Sequence, residues 1–208
     1  MCLECAKSLL RLLRKGYISK LWGIQKLDFK EVQVMKASEP IRTTQLDPKF
    51  KFEVAQMPGG ESIRYCFQCE KCTATCPVRR FDDTYRPTQI IKATLLGLKE
   101  MVLSSDVIWL CVVCYSCTER CPQGVRLTDV MRAIRNLAVK EGYIHPFYKI
   151  QASSIINFGR IFKEEEFINE VRSDLGLPLL SPVNLIEVSK ILQHTKVKTI
   201  LMTGERVG

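Results

Sequence analysis

The sequence predicts a mainly α protein, in which one helical unit is used twice and extensions flank it at both ends. Three observations predict this. The motif CFQCEKCTATCP (66–77) recurs as CVVCYSCTERCP (111–122). An apolar pattern of helical period follows each copy. The stretch between the copies, 77–110, itself reads as helix rather than as the β-rich body of a small ferredoxin. Composition agrees with a globular core. The chain has 208 residues, 46% of them hydrophobic and 25% charged, which excludes wholesale disorder. Only 11 glycines and 9 prolines are present, which excludes collagen-like and low-complexity readings. No run of apolar residues is long enough for a membrane span. The N-terminus does not read as a secretory signal, because Lys7, Arg11, Arg14, Lys15 and Lys20 interrupt its apolar residues and no small-residue cleavage site follows.

Taken in order, residues 1–45 form an N-terminal extension. It holds a basic amphipathic helix candidate and a β-like stretch, FKEVQVMK (29–36). Residues 46–145 form the core domain. Its first helix is expected to start at Asp47 as N-cap with Pro48 at the first position, and to stop at the PGG of 58–60. After the first cysteine motif comes the connection VRRFDDTYRP, then a helix with Thr88 at its N-cap and Ile90, Ile91, Leu95 and Leu98 on its apolar face. The resemblance of PTQIIKA (87–93) to LTDVMRA (127–133) extends the repeat beyond the cysteines. Thr128 is therefore expected to cap the second helix, with Val130, Ile134 and Leu137 facing inward and Gly142 as its stop. Residues 146–208 form a C-terminal extension, mostly helical, broken at Gly159, Gly176, Pro178 and Pro182. Asn184 and Glu187 resemble a capping box before LIEVSKIL, and KVKTILM (196–202) alternates like a short strand.

Ten cysteines are unusual for a chain with no secretory signal. Cys66, Cys69, Cys72 and Cys76 make one group, and Cys111, Cys114, Cys117 and Cys121 another. Such clustering points to metal rather than disulfides. Both groups read C-x2-C-x2-C-x3-C-P, the run of two-cluster ferredoxins, in which the fourth cysteine ligates the other cluster. Two-residue gaps let the backbone wrap a cubane, and the following proline turns the chain out of the loop without offering an N–H. The expected ligands are thus Cys66, Cys69, Cys72 and Cys121 for one [4Fe–4S] cluster, and Cys111, Cys114, Cys117 and Cys76 for the other. A structural zinc module is the alternative, but zinc sites rarely take three cysteines within seven residues. Plant-type [2Fe–2S] spacing is absent, and neither His145 nor His194 lies in a Rieske-like position. The architecture these spacings favour is an alpha-helical ferredoxin domain with two [4Fe–4S] clusters.

The segments RYCFQCEKCTATCPV, WLCVVCYSCTERCPQGV and TDVMRAIRNLAV, with LDPKFKFEVAQMPGGE upstream, resemble the family of the heterodisulfide reductase C subunit, including the C subunit of the sulfur-oxidising heterodisulfide-reductase-like complexes. The resemblance covers residues 46–145 well and the two ends loosely. It implies an electron relay between an A-type flavin/Fe–S protein and a B-type catalytic protein, in a cytoplasmic complex. The chain has no Cys-Cys pair, so the disulfide chemistry of the family is expected on a partner and no catalytic residue is expected here. The cysteine spacing alone is shared with the iron–sulfur protein of quinone-linked dehydrogenases, which is the second alternative.

The formal charge of +9 does not point to nucleic acid, because +5 of it falls in residues 1–26 with no accompanying motif. At helical spacing, Leu3, Ala6, Leu9, Leu10, Leu13, Tyr17, Leu21, Ile24 and Leu27 share one arc, and Lys7, Arg11, Arg14, Lys15 and Lys26 the other. Residues 1–27 are therefore expected to pack at home, dock on a partner subunit, or make a peripheral contact with an anionic membrane surface. Cys2 and Cys5 read as free thiols, since no second pair is available for zinc. Trp109 and Tyr115 read as packing residues beside the second motif that could also shield a cluster. Arg79, Arg80 and Arg86 read equally as a solvated loop or as a docking point for an acidic partner.

Overall fold

Helices carry the fold, and no strand occurs among the described residues of the computed structural model, which are 41–163, 166–195 and 197. The expectations for residues 1–40, including the amphipathic helix, Cys2, Cys5 and the β-like stretch, lie outside the described residues. So does the strand expected over 196–202, Val197 apart. The α-helices are α1 (Phe50–Gln56), α2 (Lys71–Thr75), α3 (Pro87–Leu96), α4 (Lys99–Leu103), α5 (Ser116–Glu119), α6 (Leu127–Lys140), α7 (Pro146–Phe158), α8 (Glu166–Asp174) and α9 (Leu185–Gln193). Short 3-10 turns at Glu61–Tyr65 and Asp106–Leu110 lead into the two cysteine motifs.

Helix α1 begins two residues later than Asp47 and Pro48 suggested, with Lys49 at its N-cap. Asp47 still serves the start, because its carboxylate accepts from the Lys49 N–H at 2.9 Å. The expected stop holds, with Met57 as C-cap and Gly59 at φ +88°.

Thr88 and Thr128 are not N-caps, which corrects the expectation for both helices. Arg86 precedes α3, with Pro87 pre-setting the first turn, and Arg126 precedes α6. The threonines sit one residue inside each helix and are buried. The cap comes instead from the cysteine motif. The Thr73 hydroxyl accepts from the Thr88 N–H at 3.1 Å, and the Thr118 hydroxyl accepts from the Thr128 N–H at 3.2 Å. Each satisfies one of the orphan donors that every helix N-terminus leaves.

Both helices also end alike. Leu98 N–H reaches the Ala93 carbonyl and Gly97 N–H the Thr94 carbonyl; Tyr143 N–H reaches Ala138 and Gly142 N–H reaches Val139. This is a Schellman ending, and it needs the positive φ found at Gly97 (+85°) and Gly142 (+87°). Gly97 has a second duty, because its carbonyl accepts from Asp47 N–H at 2.8 Å and a Cβ there would lie 2.3 Å from the Asp47 carbonyl oxygen.

The core lies between α1, α3, α4 and α6. Phe50, Val54, Ile90, Ile91, Ile108, Val130 and Ile134 are fully buried there, each contributing about 1.5–3 kcal/mol from burial. Lys99 bridges Glu53 on α1 (2.8 Å) and Glu141 at the end of α6 (3.0 Å). No described residue beyond Ala138 is buried. Helix α7 is capped by His145, whose Nδ1 accepts from Phe147 N–H at 3.3 Å. It meets the core through Trp109, whose ring centroid is 5.0 Å from that of Tyr148. Asn184 caps α9 as expected, accepting from Ile186 and Glu187 N–H groups. No helix among the described residues is long and apolar enough to cross a membrane.

Candidate metal centre

Each cysteine motif bends through two left-handed residues that are not glycine. They are Gln68 (φ +63°) and Glu70 (+64°) in the first motif, and Val113 (+54°) and Tyr115 (+62°) in the second. The positions correspond one to one. A left-handed residue costs about 1–2 kcal/mol, more for a branched one such as Val113, and such strain gathers at functional sites. Turns of this kind collect backbone N–H groups into anion-binding concavities.

Helices α2 and α5 pack against each other and bring the two motifs together. Two cavities result. Cys66, Cys69, Cys72 and Cys121 line the first. Cys76, Cys111, Cys114 and Cys117 line the second. Each cavity thus takes three thiols from one motif and the fourth from the other, and the matching donor sets suit occupants of one kind. Among the described residues no three His, Cys, Asp or Glu side chains close around a single-ion site. The thiols stand around cavities instead.

Several groups hold the sulfurs in place. The Thr88 and Cys72 side chains are 3.1 Å apart, and those of Thr128 and Cys117 are 3.6 Å apart. Gln68 Nε2 donates to Cys66 Sγ at 3.4 Å, and Val125 N–H donates to Cys121 Sγ at 3.3 Å. Burial pushes the Cys66, Cys72, Cys76 and Cys117 thiols up from their usual range. Cys117 is drawn part way back by the Thr128 hydroxyl, as Cys72 is by Thr88. Burial likewise raises the Tyr85 phenol, with the Cys111 thiol beside it as the next cause. Thiols held neutral in this way must lose their protons to bind metal, and the charge of the metal supplies the pull. The eight are free of disulfides and surround two cavities, four to each, so the donor set fits two cubane clusters.

The remaining expectations divide. Trp109 packs as expected, between Tyr148 and the Arg135 guanidinium, which lies 5.7 Å from its ring. Tyr115 is 37% exposed, with Arg132 over its ring, so it does not close a cluster off from water. Arg79 pairs with Asp83, and Arg86 Nε donates to the Asp83 carbonyl at 3.3 Å, so both brace the connection between motif and helix. Thr73 and Thr118 escaped the sequence reading, although the shared Cys-Thr step of both motifs marks them. Tyr85 and Arg135 escaped it too, and nothing in the repeat marks them.

Residues 62–125 match the family described as the 4Fe-4S dicluster domain. The chain is similar to the C subunit of the H(2):CoB-CoM heterodisulfide,ferredoxin reductase of Methanothermobacter thermautotrophicus, at 38% identity over 74% of this chain and 86% of that protein. It is similar to the iron-sulfur C subunit of the CoB--CoM heterodisulfide reductase of Methanopyrus kandleri, at 36% identity over 74% of this chain and 86% of that protein. A protein of Archaeoglobus profundus, named as like the heterodisulfide reductase C subunit, matches at 32% over 69% of this chain and 79% of that protein. These matches set aside the zinc module and the quinone-linked dehydrogenase arm. The cofactors are two [4Fe–4S] clusters. With its duplicated cysteine motif, its paired cavities and relatives that align over most of their length, the chain belongs to the family of the heterodisulfide reductase C subunit.

Proposed function

We propose that this chain relays electrons inside a multi-subunit heterodisulfide reductase-type complex, between an A-type flavin/Fe–S donor and a B-type catalytic protein. The observation that carries the reading is the exchange of the fourth cysteine between the two cavities. Cys66, Cys69, Cys72 and Cys121 hold one cluster, and Cys111, Cys114, Cys117 and Cys76 hold the other. When bound, each cluster supplies a one-electron acceptor and donor.

The chain's own residues do the rest. The eight thiolates fix two redox sites in one rigid body, because each site borrows a ligand from the other's loop. Thr88 and Thr128 orient the third sulfur of each motif from behind. Phe67 and Val112 stand 58% and 63% exposed at equivalent positions, each two residues before an exposed cysteine, Cys69 or Cys114. They offer each cluster an apolar contact face, one toward the donor and one toward the acceptor. Residues 46–145 form the relay unit, and 1–45 and 146–208 are arms that hold it in the complex. The basic, amphipathic segment 1–27 docks on a partner subunit.

Anaerobically purified protein should carry about eight iron and eight sulfide, since two cubanes each need four of both. Stoichiometric zinc with little iron would overturn the reading. Deleting residues 1–27 should release co-purifying subunits and leave both clusters in place; unchanged co-purification would remove that segment from the interface.

A further inference from the structure

The two cluster sites are copies in backbone and ligands but not in the charge around them. Thr88 and Thr128 are equivalent, so the residue three positions before each is Tyr85 in one unit and Val125 in the other. The residue seven positions after each is Leu95 in one and Arg135 in the other. Both polar members stand at the second site: Arg135 beside Cys111 of its own unit, and Tyr85 by crossing over from the first unit. Tyr85 is buried and lines the second cavity with Cys111. Arg135 donates through Nε to the Ile108 carbonyl at 2.8 Å and through Nη2 to the Cys111 carbonyl at 2.7 Å. Its guanidinium is part-buried, and no carboxylate pairs with it among the described residues. Among the described residues the first cavity has no such fixed cation. Glu70 and Lys71 both line it and oppose each other in charge, and its added donor is the neutral amide of Gln68.

We infer that Arg135 and Tyr85 make the Cys76/Cys111/Cys114/Cys117 site the more readily reduced of the two, so that an electron entering this chain rests there. The inference rests on the relay reading above. The physical reason is charge. Reduction adds one electron, and so one negative charge, to a site that already carries four thiolates. A nearby guanidinium with no carboxylate partner, fixed by two backbone carbonyls, stabilises the reduced form more than the oxidised form. The buried Tyr85 phenol offers a hydrogen bond to the same thiolate set, with the same sign of effect. No proton need move. The donor, a one-electron centre of the neighbouring subunit, loses the electron that this site gains. Arg135 and Tyr85 are positioning residues here, not ligands.

The test is an anaerobic redox titration of the full-length protein followed by paramagnetic resonance. The wild type should show two midpoints. Arg135→Gln should lower the upper midpoint and leave the lower one in place, with the equilibrium for reducing the upper site falling about tenfold, which is ~59 mV for one electron. Arg135→Lys, which keeps the charge but loses the fork, should recover part of the shift. Tyr85→Phe, which keeps the ring and removes only the hydroxyl, should lower the same midpoint by less. If Arg135→Gln fails to hold its clusters, Arg135→Lys and Tyr85→Phe carry the same reading. An upper midpoint unmoved in the variants that retain both clusters overturns the inference, as does a shift of the lower midpoint or an equal shift of both. Absence of any iron–sulfur signal in the wild type would instead defeat the relay reading itself.

Discussion

Thr73 caps helix α3 across a 3.1 Å hydrogen bond, and Thr118 caps α6 across 3.2 Å; in the same two units, Tyr85 stands where the other has Val125, and Arg135 where the other has Leu95. The first pair belongs to the cradle, and a cradle for identical clusters has one good geometry. The left-handed residues, the Cys-Thr step and the Schellman endings are accordingly duplicated. The second pair touches the surroundings of the cluster, where equivalence would give two sites of equal potential. On the inference above, the divergence at these two positions changes the electron's preference without changing the fold.

The sharpest way to break the comparison is to remove one exchanged ligand. Cys76→Ser should cost the second site its cluster, a loss of about four of eight iron atoms, and spare the site of Cys66, Cys69 and Cys72. Cys121→Ser should do the reverse. Iron analysis with paramagnetic resonance on soluble protein distinguishes the two; damage confined to the mutated motif's own site would refute the exchange.

Glycines test the frame with smaller effects. Gly97→Ala places a Cβ 2.3 Å from the Asp47 carbonyl oxygen at φ +85° and should destabilise by roughly 2–4 kcal/mol. Gly124→Ala meets nothing within 4 Å at φ +64° and should cost only about 1 kcal/mol. Denaturant unfolding of the cluster-loaded protein should rank them in that order, and a reversed ranking would dissolve the docking of Gly97 on Asp47.

The threonine caps come next. Thr73→Val and Thr118→Val each leave a helix donor unsatisfied and should each cost about 1–2 kcal/mol. Their near equality is the point, because the two bonds are equivalent. A large effect from one and none from the other would show that the units do not share this device.

The smallest effect concerns pH in protein stripped of metal. Burial raises the Cys66, Cys72, Cys76 and Cys117 thiols in the folded chain above 9.0, their ordinary value. Above that pH the unfolded chain releases protons that the folded chain keeps, so it binds fewer protons than the folded chain and stability decreases. The contribution is fully present below the unfolded value and is lost as pH rises through the folded values. Unfolding midpoints of the apoprotein should therefore drop as pH rises through 9.0 and above. The same drop in a variant with Cys66, Cys72, Cys76 and Cys117 all changed to alanine would assign it to other groups.

Much of this was legible in the residues themselves. Cysteine spacing announces two clusters, because three cysteines within seven residues suit a loop wrapped around a cubane and rarely a zinc site. Apolar period three to four places Ile90, Ile91, Val130 and Ile134 inward, and all four are fully buried. Asn184 reads as a cap because an Asx side chain before an apolar run satisfies orphan N–H groups locally. Thr88 and Thr128 misled for the same reason in reverse. A threonine near a helix start usually serves its own backbone, but here the partner came from fifteen and ten residues upstream.

Local sequence determined which groups this chain carries and in what rhythm: eight thiols in two runs, the helices after them, and the glycines that end those helices. Tertiary structure decided which groups share a site. Tyr85 belongs to the connection after the first motif and Arg135 to the helix after the second; Arg135 meets Cys111 of its own unit, whereas Tyr85 reaches the second site because the first unit packs against the second motif. Spacing along a chain constrains only neighbours within a turn or a loop. The electrostatic field at a buried cluster is summed over everything packed around it, and that sum exists only once the two units have closed on each other.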